Sequence, residues 1–238
     1  MAALRSEVTD FPSRNALDDL QRDAVRFGDI PVLVDITALA LDGVTSADLA
    51  AADADVVALT DVWRVDRGWD LTRSEVDAVQ AFVAAGHGFV GMGSRALELI
   101  PDLAIIVGVV PVVEDTFLHC DGAHAIAVRA RLLDHPILHR IPDPFEVEPC
   151  STLGGWGVPG DGEVEVIALF DDCSLVDGVY SSGGIVTRAG GALGLGRSVF
   201  FTFDPALADE DGLRATEVDR RLLYNAVVWA AGRSAEVL

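Results

Sequence analysis

Asp55-Val-Val-Ala-Leu-Thr60, Leu71-Thr-Arg-Ser-Glu-Val76 and Gly88-Phe-Val-Gly-Met92 belong to one stretch, 55–96, that reads as a complete β-α-β unit. The first piece is a short unbroken apolar run, the pattern of a parallel strand buried on both faces. In the second, Thr72 and Glu75 form a capping box, in which the threonine hydroxyl accepts from the Glu75 amide and the carboxylate reaches back to the Thr72 amide. Leu71 and Val76 stand where a hydrophobic staple closes. Val76, Val79, Phe82 and Val83 then share one helical face, and Gly86 supplies the left-handed stop. The third piece is the second strand, and Gly93-Ser-Arg-Ala96 turns out of it. Two parallel strands joined through a helix cross over right-handed almost without exception. Ligands of open α/β sheets sit beyond the carboxyl ends of the strands. That rule points to the loop Asp61–Asp70 and the turn Gly93–Arg95.

Working outward, residues 2–9 read as a first strand. Leu17, Leu20, Ala24 and Phe27 line a helix ended by Gly28. Ile30-Pro-Val-Leu-Val-Asp-Ile36 reads as a strand with its proline at the edge of the run, and Ser46–Ala52 as a short helix. A short helix through Leu103–Val107 and an apolar segment, Val109–Val113, follow the organising unit. The second half changes to alternating strands at 123–130, 145–148, 163–169, 179–187 and 197–203, separated by Gly- and Pro-rich turns. A last helix begins near Thr216, buries Val218, Leu222, Leu223, Ala226 and Trp229, and stops at Gly232. No repeat or linker interrupts the chain, so 1–238 is expected to be one α/β domain.

The 238 residues are half hydrophobic, enough for a sizeable core. No apolar run is long enough to span a bilayer, and the first residues lack the basic flank and apolar core of a secretory signal. Three widely spaced cysteines, Cys120, Cys150 and Cys173, make no disulfide framework and suit reduced thiols in a cytoplasm. The net charge is −21, and all 17 basic residues are Arg. Nucleic-acid binding requires a basic face and is disfavoured. Without a lysine there is no Schiff base, pyridoxal attachment or P-loop lysine. Acidity on this scale is expected to make folding depend on salt, because surface carboxylates repel one another and the Debye length shrinks from about 10 Å at 0.1 M to about 3 Å at 1 M. The expected signature is a melting temperature that rises by many degrees from dilute buffer to molar potassium chloride. A flat curve returns the acidity to GC-rich codon bias and solubility.

Several constellations are candidates for chemistry. In Asp61-Val-Trp-Arg-Val-Asp-Arg-Gly-Trp-Asp70, the faces of Trp63 and Trp69 can stack on sugar C–H surfaces while Asp61, Arg64 and the turn residue Arg95 bond hydroxyls. The plainer alternative is a Trp capping the sheet edge among solvated charges. Ser94 is a nucleophile only if His119 or His124 reaches it as a base, and otherwise a helix N-cap. Gly91-x-Gly93-x-x-Ala96, with Glu114 about 20 residues on, also fits a dinucleotide fingerprint. His119, Cys120 and His124 carry metal-type ligands at short spacing, but three or four such groups have to converge; no cofactor is expected. Glu146 and Glu148 share a strand face and form an acid–base pair if that face lines the cleft, or a solvated edge if it does not.

Taken in order, several blocks resemble the ThuA-like (trehalose-utilisation) family of the class I glutamine amidotransferase-like superfamily. They are Asp55–Asp61, Leu71-Thr72 with Phe82–Gly91, His135-Pro-Ile with Ile141–Glu146, Gly196-Arg-Ser-Val-Phe-Phe201, and Leu222–Gly232. The resemblance implies a flavodoxin-like, three-layer α/β/α fold with a mostly parallel sheet, and a cytoplasmic role in carbohydrate metabolism. It departs at the reactive positions. Gly93 stands at the turn where amidotransferases carry a Cys and ThuA-like proteins often a His, and of the late Gly-His-Asp only Asp204 is present. The resemblance thus implies a small-sugar pocket from Asp61–Asp70, Ser94, Arg95, His119, Glu148 and Asp204, without glutaminase chemistry. The alternative is a non-catalytic binding or subunit protein on a degenerate fold. The expected partner is a small sugar or derivative rather than nucleic acid or membrane, with self-association left open.

Overall fold

A computed structural model describes residues 1–5, 20, 27, 34–35, 37–40, 43–59, 72–92, 110–111, 117–118, 126–147, 153–154, 156–157, 164–170, 183–190, 196–201, 203, 205 and 216–234. The first half runs β1 (Ala2–Arg5), β2 (Thr37–Ala40), α1 (Ser46–Ala51), β3 (Val56–Leu59), α2 (Arg73–Ala84) and β4 (Gly88–Met92). Short strands β5 (Val110–Pro111) and β6 (Phe117–Leu118) follow, then β7 (Ile126–Ala130), a 3-10 turn at Pro136–Leu138 and β8 (Phe145–Val147). After β9 (Leu153–Gly154) and β10 (Trp156–Gly157) come β11 (Val164–Phe170), β12 (Gly183–Arg188), β13 (Ser198–Phe201) and α3 (Glu217–Ala230).

Nine of these strands form one sheet in the order β2-β1-β3-β4-β13-β12-β11-β7-β8. The first five are parallel to one another, and the remaining four continue the sheet antiparallel. By rank along the chain the parallel half reads 2-1-3-4-5, the flavodoxin-like order, with its switch point between β1 and β3. The strands of the second half therefore extend the same sheet. They need no crossover helices, because antiparallel neighbours can be joined by hairpins.

Side chains alternate across a strand, and each face of this sheet buries its own set. Val57, Leu59, Phe89 and Phe200 pack beneath α1 and α2 with Leu49, Val76, Val79 and Phe82. Val56, Ala58, Val90, Met92, Val199 and Phe201 pack on the other side against α3, Leu20 and Phe27. The result is three layers. Leu20 and Phe27, one helical face apart in the sequence pattern, are both helical and buried.

The capping box forms at both partners: the Thr72 amide donates to Glu75 Oε2 at 2.7 Å and the Glu75 amide to Thr72 Oγ1 at 3.4 Å. Glu75 is buried, and its other oxygen accepts from the Gly43 amide at 2.7 Å, so one carboxylate starts α2 and also anchors the lead into α1. Gly86 takes the left-handed stop with φ +97°. Leu71, the staple partner of Val76, lies outside the described residues.

Two expectations are corrected. Of the strand read at 30–36, Val34 and Asp35 are not in a strand, and the strand described in this region is β2 at Thr37–Ala40. Register decides this, because the ladder pairs Ala2 with Thr37 and Arg5 with Ala40. The apolarity of Val34 reflects burial in the core on the α3 side of the sheet. Val218, expected to be buried, is only half-buried at the start of α3.

Candidate functional site

Open α/β sheets bind ligands beyond the carboxyl ends of their strands, most often at the switch point, which here lies between β1 and β3 next to the exits of β3, β4 and β13. The chain leaves β3 at Leu59, β4 at Met92 and β13 at Phe201. Leu59 pairs with Gly91, and Met92 with Phe201, so the three exits lie side by side. Neighbouring strands are about 4.8 Å apart, which fits all three exits within the width of a monosaccharide or disaccharide. The strand ends are apolar and fully buried, as are Phe203 and its edge-on neighbour Phe201, 5.5 Å apart between ring centres. Polar groups at this edge therefore have to come from the segments that follow.

Those segments hold the sequence candidates. Asp61, Trp63, Arg64 and Trp69 follow β3, Ser94 and Arg95 follow β4, and Asp204 follows β13; all lie outside the described residues. So do His119, Cys120 and His124, and Glu148 beyond β8. Glu146, its alternate neighbour, is exposed on β8, the last strand of the sheet. Among the described residues, no group of three His, Cys, Asp or Glu is placed to hold a metal ion.

A second cluster, at the amino end of the same sheet, was not anticipated from the sequence. Four of the family-like blocks meet there. Arg197, just before β13, donates from a guanidinium nitrogen to the Trp229 carbonyl at 3.1 Å and lies over the Trp229 indole at 5.2 Å. His135 packs on the same indole, with ring centres 5.2 Å apart. Asn225 Nδ2 donates to the Ile137 and His139 carbonyls at 3.0 Å each, tying the 3-10 turn to α3. Burial, and secondarily the Arg197 charge, lowers the His135 pKa from 6.5 to about 4. Gly196 completes the join, since a Cβ there would lie 1.6 Å from the His87 carbonyl oxygen. The sequence signal for this cluster was an Asn on the apolar face of the last helix. A buried polar group requires partners.

Beside this cluster a cleft of about 360 Å³ opens between the starts of β2 and β3 and the end of α3. Val34, Val56 and Val227 line it, and exposed Asp35, Asp53 and Asp55 rim it.

These features define an open α/β sheet of flavodoxin-like order, extended by an antiparallel half, with the exits of β3, β4 and β13 side by side at its carboxyl edge. That fold is shared with ThuA-like and glutamine amidotransferase-like structures. A protein described as ThuA-like from Bacteroides uniformis superposes with TM-score 0.62 at 15% identity, over 96% of this chain and 90% of that one. A cytoplasmic protein of Salmonella typhimurium gives 0.64 at 12% identity, over 96% and 98%. The glutaminase domain of Trypanosoma brucei CTPS, with bound acivicin, gives 0.56 at 13% identity, over 98% and 93%. At these identities the likeness is one of fold. No protein-family model and no curated protein sequence matches the chain. No helix among the described residues is long and apolar enough to cross a membrane.

Proposed function

We propose that this chain is a cytoplasmic, ThuA-like protein that binds a small carbohydrate or sugar derivative at the carboxyl edge of its parallel sheet. The observation that carries the reading is the adjacency of the three exits at Leu59, Met92 and Phe201. Each is followed by a segment rich in the groups that hold sugars. Trp63 and Trp69 serve as stacking faces, and Asp61, Arg64 and Arg95 as hydroxyl partners. Ser94, His119 and Asp204 are the groups available for proton transfer on a bound sugar; Glu148 follows β8, four strands beyond β13, and is left out of this site. Glutaminase chemistry is not part of the proposal, because Gly93 offers no thiol at the turn after β4.

Calorimetric titration of the full chain with trehalose and with glucose tests the binding. Saturable heat that disappears in a Trp63→Ala, Trp69→Ala double variant supports it. Absence of heat with either sugar at millimolar concentration contradicts it.

A second reading is favoured by a specific observation: the family-like blocks meet in the packed cluster at the amino end. Retained scaffold with altered reactive positions describes a binding or subunit protein without turnover. Product analysis after prolonged incubation with the bound sugar separates the two, since turnover removes the second reading and its lasting absence removes the first reading's catalytic part.

A further inference from the structure

The connection between β7 and β8 is docked on α3 through a histidine that has to be uncharged. His135 caps the 3-10 turn by accepting the Ile137 amide at Nδ1, at 3.3 Å. A protonated imidazole has two donors and no acceptor, so this bond exists only in the neutral ring. The ring is pressed against Trp229, and the Arg197 guanidinium is fixed over the same indole and to its carbonyl. A proton on His135 would therefore break the cap beside a permanent cation. Beneath the cap, Ile137 and Leu138 are buried, and Asn225 supplies two hydrogen bonds to the turn.

We propose that residues 135–141 form a proton-sensitive clamp on α3, in which neutral His135 holds the turn down and its protonation releases the turn and uncovers Ile137 and Leu138. Among the described residues, these charges stand near the ring. To the segment, α3 presents uncharged Trp229 and Asn225, and β13 is preceded by Arg197. The segment and its flanks carry Asp134, His139, Arg140 and Asp143. Of all these charges, it is Arg197 that acts on the ring, in the same direction as burial. Because the folded pKa of about 4 lies below the ordinary 6.5, the clamp is at full strength above pH 6.5 and weakens as pH falls through that interval toward 4.

Histidine ring titration and amide exchange, followed by NMR on the full chain between pH 7.5 and 4, test the clamp. The readout amides are Ile137, Leu138, His139 and Ile141, all bonded within the segment. After correction for intrinsic exchange, they should open at least about tenfold more often at the acid end, the effect of one unit of pKa difference. His135→Asn keeps a neutral capping oxygen and should remove the pH dependence. Arg197→Gln should raise the His135 midpoint and shift the onset of opening with it. A His135 midpoint near 6.5, or the same pH dependence in His135→Asn as in the parent, would overturn the clamp. If His135→Asn does not fold, the Arg197→Gln shift decides alone: coupled movement of midpoint and opening supports the clamp, and uncoupled movement ends it.

Discussion

The two ends of the parallel sheet are built differently. At the amino end Arg197, His135, Asn225 and Trp229 are locked to one another and to backbone carbonyls, with Gly196 packed against the His87 carbonyl. At the carboxyl end the strands finish in buried apolar side chains, and the polar residues come only in the segments that follow. The blocks that look like a known family fall largely at the amino end and in the strands. The departures from that family, Gly93 above all, fall at the carboxyl end. On the proposed reading, the shared residues mark a scaffold and the altered ones the positions where its chemistry differs.

The largest expected effect comes from breaking the amino end. Gly196→Ala places a methyl group against backbone that has no room to yield, and should destabilise the chain by about 3 kcal/mol or more. Denaturant unfolding that moves by less than about 1 kcal/mol would show that the strand start can shift freely. Asn225→Ala removes the donor to two carbonyls of the 3-10 turn and should cost about 2–3 kcal/mol. Because the lesion is at the amino end, the affinity for any carboxyl-edge ligand should stay within about twofold; a parallel loss of affinity would mean the two ends are coupled.

Trp63→Ala is the converse test. It should weaken sugar binding by about 1–3 kcal/mol, the span for losing a large buried contact, and leave the melting temperature nearly unchanged. Unaltered affinity in calorimetry removes the stacking face from the account. The smallest effect is a gain. The Tyr224 hydroxyl is buried beside Phe27 without a hydrogen-bond partner among the described residues, and burial raises its pKa. Tyr224→Phe deletes that unsatisfied group and should stabilise by about 1 kcal/mol. A loss of stability would mean that the hydroxyl has a partner in solution.

The organising unit was legible because its signals are local. Capping box, helical face and glycine stop all sit within 72–86, and each appears where the pattern put it. Val34 and Asp35, read as strand, are not in one, because an apolar run records burial, whereas a ladder records register against a neighbour far along the chain. Val34 shows the difference: it is buried, yet it precedes the pairing that begins at Thr37. The amino-end cluster was illegible for the same reason at longer range. Ile137 and Asn225 are 88 residues apart, and no spacing rule connects them. For the carboxyl edge, Asp61–Asp70 reads as a loop from composition and place but lies outside the described residues, and bringing its side chains to Ser94, His119 and Asp204 would take tertiary contacts that no spacing rule expresses.

The central claim is that ligand recognition belongs to the carboxyl edge and structural locking to the amino end. Backbone amide shifts measured during titration with trehalose, using the uniformly labelled full chain, test it most directly. The account predicts shifts concentrated at Leu59, Met92, Phe201 and Phe203, with Asp55, Gly88, Ser198 and Asn225 unmoved. Shifts centred on the amino end, or on the cleft rimmed by Asp35, Asp53 and Asp55, would contradict it.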